Sequence, residues 1–267
     1  MSRGAILFAF NSPKVNYYSM AAFTARRINH FLGLPVTIVT DTTSVPASSD
    51  YTFDNTIIIS PDSSNKKDNT VWINKGRYKA YELSPYDETL LIDTDFLINS
   101  STLSMLFDLP TDFNCHDTTS FLMYPTAEQE RLSAYSFNTL WATVIMFKKT
   151  SRVKQLFETM QMIQHNYEHY ANIHSFMTYP YRNDYALTMA LRIINGHIIP
   201  KEDIIPWNLM HVGKNTSVHR NTDDEFNTEY TVEFDQWNKG KIRKEYMLIK
   251  DFDFHILNKE LAVELMQ

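Results

Sequence analysis

The residues in this sequence best placed to do chemistry are two aspartates, Asp93 and Asp95, which directly follow a short apolar run. The run at 90–92 is continuously apolar, which predicts a strand buried on both faces. A carboxylate at the C-terminal end of such a strand is costly to bury unless a ligand or a cation neutralises it. Carboxylate oxygens are preferred ligands of hard divalent cations, so the pair predicts a metal and diphosphate clamp.

The same spacing also arises by chance, because the chain contains 18 aspartates. A second Asp-x-Asp occurs at 251–253, and ordinary strand-end aspartates are the alternative interpretation of the first pair. The context favours the clamp, since a turn at 84–87 and the buried strand lead directly into Asp93.

Three cations, Lys75, Arg77 and Lys79, precede the aspartate pair in a segment that Asn74 is expected to cap as a helix. On an ordinary surface helix these charges would be solvated. Beside the clamp, one or two of them would instead face a nucleotide diphosphate. The sequence leaves both interpretations open.

The elements that must position these residues alternate between strands and helices. The first half predicts a strand over 4–10, a helix over 15–32 ended by Gly33, and strands over 36–39 and 56–59. A strand, a helix and a second strand joined at this length form a parallel pair. The turn after the first strand, at Phe10 and Asn11, is then a place where a ligand meets the backbone.

The second half predicts more α/β structure and a late hairpin. We expect a short helix at 102–107, extended segments at 113–118 and 121–124, and a strong strand ending at Phe147. Helices over 151–169 and 184–195 flank an aromatic loop at 170–182. A hairpin over 228–249 turns at 238–241, and a last helix follows Lys259. The fold class is therefore α/β, with a mostly parallel central sheet flanked by helices.

Composition limits the classes of function. The 267 residues carry a formal net charge of −6 and are 43% hydrophobic, which fits one large domain without a global basic field. The single cysteine allows no intrachain disulfide, and no apolar run is long enough for a signal sequence or a membrane span. We therefore expect a soluble, cytoplasmic protein. The common P-loop and dinucleotide-binding glycine motifs are absent.

Four sequence features together resemble the GT-A glycosyltransferases, most closely the branch of glycogenin and the bacterial lipopolysaccharide galactosyltransferases. The first is the segment 84–95 ending in Asp93 and Asp95, which is similar to the family's strand leading into its Asp-x-Asp. The second is Asn138 ahead of a strand, where the family has Asn-x-Gly. The chain departs from the family here, because no glycine follows Asn138.

The other two features lie later in the chain. Asn183 and Asp184 open a helix and are similar to the family's Asp-Gln-Asp, with asparagine in place of glutamine. His255 with Lys259 resembles the family's His-x-x-Gly-x-x-Lys, although the spacing is shorter and the glycine is missing. His211 is a competing candidate for that histidine, and we favour His255 because it follows a strand-like run near the chain end.

The resemblance implies one GT-A domain over 1–267, in which 1–100 bind the nucleotide and 101–267 form the sugar and acceptor half. It implies Mn²⁺ or Mg²⁺, a nucleotide-diphosphate sugar (first of all a UDP-sugar) as donor, and retention of the anomeric configuration. The residues it implies are the catalytic Asn183 and Asp184, the cofactor-binding Phe10, Asn11, Lys75, Arg77, Lys79, Asp93, Asn138, Trp141 and Lys259, and the metal ligands Asp93, Asp95 and His255.

The acceptor is the least determined part. The composition, rich in Asn, Tyr and Lys, is similar to that of bacteriophage enzymes that glycosylate hydroxymethylated DNA bases in the host cytoplasm. Cation clusters at 148–154 and 239–244 would meet phosphates, and the aromatic loop would stack on an extruded base. Open alternatives are a glycan, lipid, small-molecule or protein acceptor, a metal-dependent nucleotidyltransferase, and a sugar-nucleotide-binding module without activity.

Overall fold

A computed structural model describes residues 1–60, 66–67, 70–71, 75–176, 180–213, 215–238 and 241–266. Its strands are β1 (Arg3–Phe8), β2 (Val36–Thr40), β3 (Asn55–Ile58), β4 (Lys66–Lys67), β5 (Thr70–Val71), β6 (Glu88–Ile92), β7 (Phe96–Leu97), β8 (Phe113–His116), β9 (Thr119–Phe121), β10 (Tyr124–Glu128), β11 (Trp141–Lys148), β12 (Leu209–Val212), β13 (Ser217–Arg220), β14 (Glu229–Asn238), β15 (Lys241–Lys250) and β16 (Phe254–Ile256). Its α-helices are α1 (Tyr17–Leu32), α2 (Ala80–Leu83), α3 (Ser151–His165), α4 (Tyr167–Ile173), α5 (Asn183–Ile194) and α6 (Lys259–Leu265). Short 3₁₀ helices cover Lys75–Lys79, Thr102–Asp108 and Lys201–Asp203.

The central sheet has six strands in the order β3-β2-β1-β6-β11-β8. The first four strands are parallel, and β11 runs antiparallel to both of its neighbours. This mixed, mostly parallel sheet flanked by helices confirms the α/β class expected from the sequence.

The two middle strands are apolar on both faces because helices cover both faces of the sheet. Ile6 and Phe8 of β1 enter a core with residues of α3 and α5, whereas Ala5 and Leu7 enter a second core with residues of α1. β6 is likewise fully buried. The C-terminal ends of β1 and β6 therefore lie side by side at one edge of the sheet.

The first helix begins and ends close to its predicted bounds because its capping is local. The side chain of Asn16 accepts a hydrogen bond from the Ser19 N–H at 3.0 Å. At the other end Gly33 has a φ of 64°, the left-handed conformation that glycine adopts at low cost. Among the described residues, no helix combines the length and apolar character that crossing a bilayer requires.

A second sheet of five strands, in the order β10-β9-β12-β16-β7, lies beyond the aspartate pair. β7 follows Asp95 directly, and it pairs antiparallel with β16, which holds His255. A third sheet, β13-β14-β15, contains the predicted hairpin, and β4 pairs with β5 in a small ribbon. Sheet pairing thus joins the aspartate segment to the last part of the chain.

The structure corrects three local predictions. The helix predicted over 151–169 is two helices, because the Asn166 amide and backbone N–H both donate to the Met162 carbonyl and end α3. The predicted aromatic loop therefore starts only after Ile173. The extended segment predicted over 121–124 contains the turn between β9 and β10. Asn74, the centre of the aromatic loop at 177–179, Lys214 and the hairpin turn at 239–240 lie outside the described residues.

Candidate functional site

An open cleft of about 420 Å³ lies where β1 and β6 end, bordered by the start of β11, the start of α5 and the end of β16. It collects residues that are far apart in sequence onto one surface. Its lining is Phe8, Phe10, Ser12, Tyr17, Arg77, Asp93, Thr94, Asp95, Trp141, Ala142, Thr143, Arg182, Asn183, Asp184, His255, Leu257 and Lys259.

The two aspartates are placed by the turn that follows β6. The N–H of Asp93 donates to the Thr143 carbonyl of β11 at 2.9 Å, which continues the sheet pairing by one residue. The Asp93 carbonyl then accepts from the Phe96 N–H at 3.1 Å and closes a tight turn. Asp95 is consequently turned inward, with only 3% of its surface exposed.

His255 reaches the aspartates through the second sheet. It lies opposite Phe96 in the β7–β16 pair, and the Ile256 N–H donates to the Asp95 carbonyl at 3.0 Å. This register brings His255 Nε2 to 3.4 Å from Asp95 Oδ1. One ligand atom each from Asp93, Asp95 and His255 lies within 4.8 Å of the others. Two carboxylates and one imidazole at this spacing fit a divalent cation, and Mn²⁺ accepts this mixed oxygen and nitrogen set.

Two cations already balance the carboxylates. Arg77, in the 3₁₀ helix before β6, forms an ion pair with Asp93 and also donates to the Thr143 carbonyl at 3.4 Å. Lys259, the first residue of α6, forms an ion pair with Asp95. The Arg77 side chain is 3% exposed and that of Lys259 is 43% exposed. Arg77 is therefore a fixed charge, whereas the Lys259 side chain is partly open to solvent.

A second histidine stands behind His255. The Nδ1 atoms of His255 and His211 are 3.1 Å apart, because the two residues are register partners in the parallel strands β16 and β12. Burial lowers the pKa of His255, and burial together with the neighbouring His255 lowers the pKa of His211 to about 2. Both rings are therefore neutral, which leaves each with one nitrogen lone pair to offer.

The opposite wall of the cleft is an arginine clamp. Arg182 Nε and Nη2 donate to Asp184 Oδ2 at 2.9 and 2.7 Å, and the guanidinium lies 5.5 Å from the centre of the Trp141 ring. Asp184 Oδ1 also accepts from the Ala142 N–H at 2.8 Å. α5 is thereby fixed to the start of β11. Asn183 lies beside this clamp in the lining, and its Oδ1 accepts from the Tyr181 hydroxyl at 3.2 Å.

Of the site residues predicted from sequence, nine line the cleft: Phe10, Arg77, Asp93, Asp95, Trp141, Asn183, Asp184, Lys259 and the favoured histidine His255. Four others lie outside its described lining. The Asn11 side chain stabilises the turn after β1 by accepting a hydrogen bond from the Tyr18 N–H at 2.9 Å. The Asn138 amide donates to the Gln129 side chain. Lys79 lies 5.9 Å from the Tyr78 ring, and Lys75 opens the same 3₁₀ helix.

The second Asp-x-Asp, at 251–253, helps to hold the fold together through Asp253. Asp253 accepts from the Asn99 N–H at 2.6 Å and from the Ser100 hydroxyl at 3.1 Å, which fastens the segment after β7. Its burial raises its pKa to about 6. The alternative interpretation of strand-end aspartates thus applies to the second pair.

Eight of the residues that line the cleft, among them Tyr17, Thr143 and Arg182, were not predicted as site residues from the sequence. Tyr17 and Thr143 line the cleft without belonging to any motif, and Arg182 directly precedes the predicted pair Asn183 and Asp184. The signal for Arg182 was an Arg-x-Asp spacing at a helix start, which places a guanidinium beside the carboxylate that fixes it. Tyr17 and Thr143 carried no comparable signal.

No model of a known protein family matches the chain, and no curated protein sequence is recognisably similar to it. Similar solved structures include the galactosyltransferase LgtC in complex with donor and acceptor sugar analogues, at 12% identity and a TM-score of 0.46, covering 69% of each chain. Another is the glycosyltransferase GlyE of Streptococcus pneumoniae TIGR4, at 11% identity and a TM-score of 0.43, covering 76% of this chain and 45% of GlyE. Similarity at these TM-scores and identities does not indicate a function, so the function must be inferred from the geometry of the site.

Proposed function

We propose that this protein is a metal-dependent glycosyltransferase of the GT-A type, which moves a sugar from a nucleotide-diphosphate sugar, in the first instance a UDP-sugar, to a hydroxyl acceptor. The observation that carries the proposal is the convergence of Asp93, Asp95 and His255 in a cleft at the ends of parallel strands. Arg77 and Lys259 stand in the same cleft and supply the positive charge that a diphosphate requires.

In this proposal Asp93, Asp95 and His255 hold Mn²⁺ or Mg²⁺, which acts when bound as a Lewis acid that neutralises the charge developing on the leaving diphosphate. Lys259 exchanges its carboxylate partner for a phosphate oxygen, and the buried Arg77 keeps Asp93 oriented. Asn183 and Asp184 hold the sugar ring, with Asp184 kept in place by Arg182 and the Ala142 N–H.

Four further points belong to the proposal. The chain acts as one domain over 1–267, the reaction takes place in the cytoplasm, and the anomeric configuration is retained, as the resemblance to the glycogenin branch implies. Lys75, Lys79, Asn11 and Asn138 would reach the donor only through a local rearrangement, because their side chains lie outside the described lining of the cleft.

The acceptor proposed for the first test is DNA with hydroxymethylated pyrimidines. Several cations of the clusters that motivate it are paired: Arg152 binds Asp112 and Asp203, Lys154 lies 3.6 Å from Glu158, and Lys244 binds an acidic partner on β14. Paired cations release fewer counterions from DNA, so binding should show a shallow salt dependence. Glycan, lipid, small-molecule and protein acceptors are the competing outcomes.

The donor half of the proposal is tested by incubating the protein with Mn²⁺ and a panel of nucleotide sugars and measuring release of the nucleoside diphosphate. Asp95→Ala should abolish release while circular dichroism stays unchanged. Undiminished release in that variant would refute the metal role of Asp95. Adding hydroxymethylcytosine or hydroxymethyluracil DNA, followed by mass analysis of the nucleosides, tests the acceptor separately.

The same assay separates glycosyl transfer from nucleotidyl transfer, because the two reactions break different bonds. Glycosyl transfer leaves the diphosphate intact on the nucleoside, whereas nucleotidyl transfer from a nucleoside triphosphate releases pyrophosphate. Pyrophosphate release without sugar transfer would favour the nucleotidyltransferase. Tight binding of UDP-sugar with neither product would favour an inactive binding module.

A further inference from the structure

The contact between His211 and His255 determines which nitrogen of His255 carries the proton. Their Nδ1 atoms are 3.1 Å apart, which is hydrogen-bonding distance, and two neutral imidazoles can make this bond only if one nitrogen carries the proton and the other does not. The direction of the bond therefore determines which nitrogen of His255 is available to a cation.

The position of His255 fixes that direction when a cation is bound. Its Nε2 faces Asp95 at 3.4 Å, so Nε2 is the nitrogen that can join the carboxylates in holding an ion. A ligating nitrogen must offer its lone pair, which moves the proton to Nδ1. Nδ1–H then points at His211 Nδ1, and His211 must carry its own proton on Nε2.

The surroundings of His211 suit an acceptor that does not move. The residue is 1% exposed, and its ring centre lies 4.9 Å from that of Trp141 and 5.9 Å from that of Phe121. Pairing of β12 with β16 sets its distance from His255 through the backbone. The 3.1 Å separation leaves no room for protons on both Nδ1 atoms, so His211 Nδ1 is the acceptor whenever His255 Nδ1 carries a proton.

We propose that His211 is a positioning residue, which accepts a hydrogen bond from His255 Nδ1–H and so holds His255 in the tautomer and orientation that present Nε2 to a divalent cation. This inference rests on the proposed function and deepens it. It also resolves the competition between the two histidines, since one serves as ligand and the other orients it. Partners of this kind typically contribute 10- to 100-fold to metal affinity.

Three variants test the proposal through metal affinity rather than activity. His211→Phe keeps an aromatic ring against Trp141 but removes the acceptor, and His211→Asn restores a polar acceptor near the Nδ1 position. His116→Phe is the matched control, because His116 is equally buried but is not hydrogen-bonded to His255. Mn²⁺ affinity is measured by electron paramagnetic resonance on the nucleotide-free protein, with thermal unfolding to verify folding.

We expect His211→Phe to weaken Mn²⁺ binding by about tenfold or more, His211→Asn to recover part of the loss, and His116→Phe to match the wild type. Equal affinity in the wild type and His211→Phe would overturn this inference alone. A wild type that binds no Mn²⁺ would overturn the proposed function and the inference together.

A measurement on the wild type needs no variant to fold. With saturating Mg²⁺, ¹⁵N-edited NMR of the imidazoles should find the proton of His255 on Nδ1 and that of His211 on Nε2. A proton on Nδ1 of His211 in the Mg²⁺-bound protein would overturn the proposal, because the hydrogen bond would then run the other way.

Discussion

At the scale of single residues, the cleft is organised by charges that are already paired before a ligand arrives. Asp93 is held by the buried Arg77, and Asp95 by the half-exposed Lys259. A divalent cation must compete with both partners for the same two carboxylates. Because a buried arginine cannot leave without exposing unpaired polar groups, Lys259 is the partner that gives way.

Lys259→Met should therefore have opposite effects on two ligands. Without the competing amine, the nucleotide-free protein should bind Mn²⁺ more tightly, by about twofold to fivefold, because an ion pair with a half-exposed lysine is worth up to about 1 kcal/mol. UDP binding in the presence of Mg²⁺ should weaken, because a positive charge is lost at the diphosphate. Isothermal titration calorimetry measures both affinities.

The matched control for this change is Lys154→Met, which removes a lysine that pairs with Glu158 on the surface of α3. Both affinities should equal those of the wild type. If Lys259→Met weakens Mn²⁺ and UDP alike, then Lys259 stabilises the metal site instead of competing for it.

At the scale of elements, the site depends on how closely β1 approaches the turn before β6. Gly4 lies opposite Thr89 in the β1–β6 pair, and the ring of Tyr86 covers it. A Cβ at this position would lie 2.4 Å from Tyr86 ring atoms, well inside contact distance. Tyr86 is in turn anchored by a 3.0 Å hydrogen bond with the hydroxyl of Thr37 on β2.

Gly4→Ala should thus lower the free energy of unfolding by about 1–3 kcal/mol, because the buried ring must shift against its anchor. Gly76→Ala is the control, since its Cβ would meet nothing closer than a Lys79 side-chain atom at 3.9 Å. Urea unfolding followed by circular dichroism compares the two. Equal changes in both variants would mean that Tyr86 moves away at no cost.

At the scale of the whole molecule, the cleft joins two sheets. The central sheet contributes Asp93 and Trp141, while the five-stranded sheet contributes His255. A ligand that binds across both sheets binds only the folded chain, and it stabilises that chain by mass action.

Saturating Mn²⁺ and UDP together should therefore raise the melting temperature. At one hundred times the dissociation constant, the free energy of unfolding should increase by about 2.7 kcal/mol. Differential scanning fluorimetry measures the shift, and Asp95→Ala should abolish it. A shift of equal size in Asp95→Ala would place ligand binding elsewhere on the molecule.

As the pH falls, the whole molecule should begin to lose stability at a higher pH than its carboxylates alone would predict. Burial lowers the pKa of His116 to about 3, so this histidine stays neutral in the folded chain, while the unfolded chain takes up its proton near the ordinary histidine pKa of 6.5. Its contribution to stability is therefore complete above pH 6.5 and is lost as the pH falls toward 3, by about 1.4 kcal/mol per pH unit.

His116→Phe should show a shallower loss of stability than the wild type over this interval. Urea unfolding at pH 7, 6 and 5 gives the two slopes. Parallel slopes would mean that His116 is solvated enough to take up its proton in the folded state.

The sequence by itself determined the parts of this protein that depend on neighbouring residues. The apolar run into Asp93 predicted a central strand. Asn16 and Gly33 set the two ends of α1 through contacts within a few residues. Only the tertiary structure decided which distant side chains meet at the cleft. The sequence favours His255 over His211 only by its place after a strand-like run near the chain end. The register of β16 against β7 and β12 puts His255 beside Asp95 and His211 behind it. Sheet register is set by burial across the whole core, so no spacing along the chain contains it.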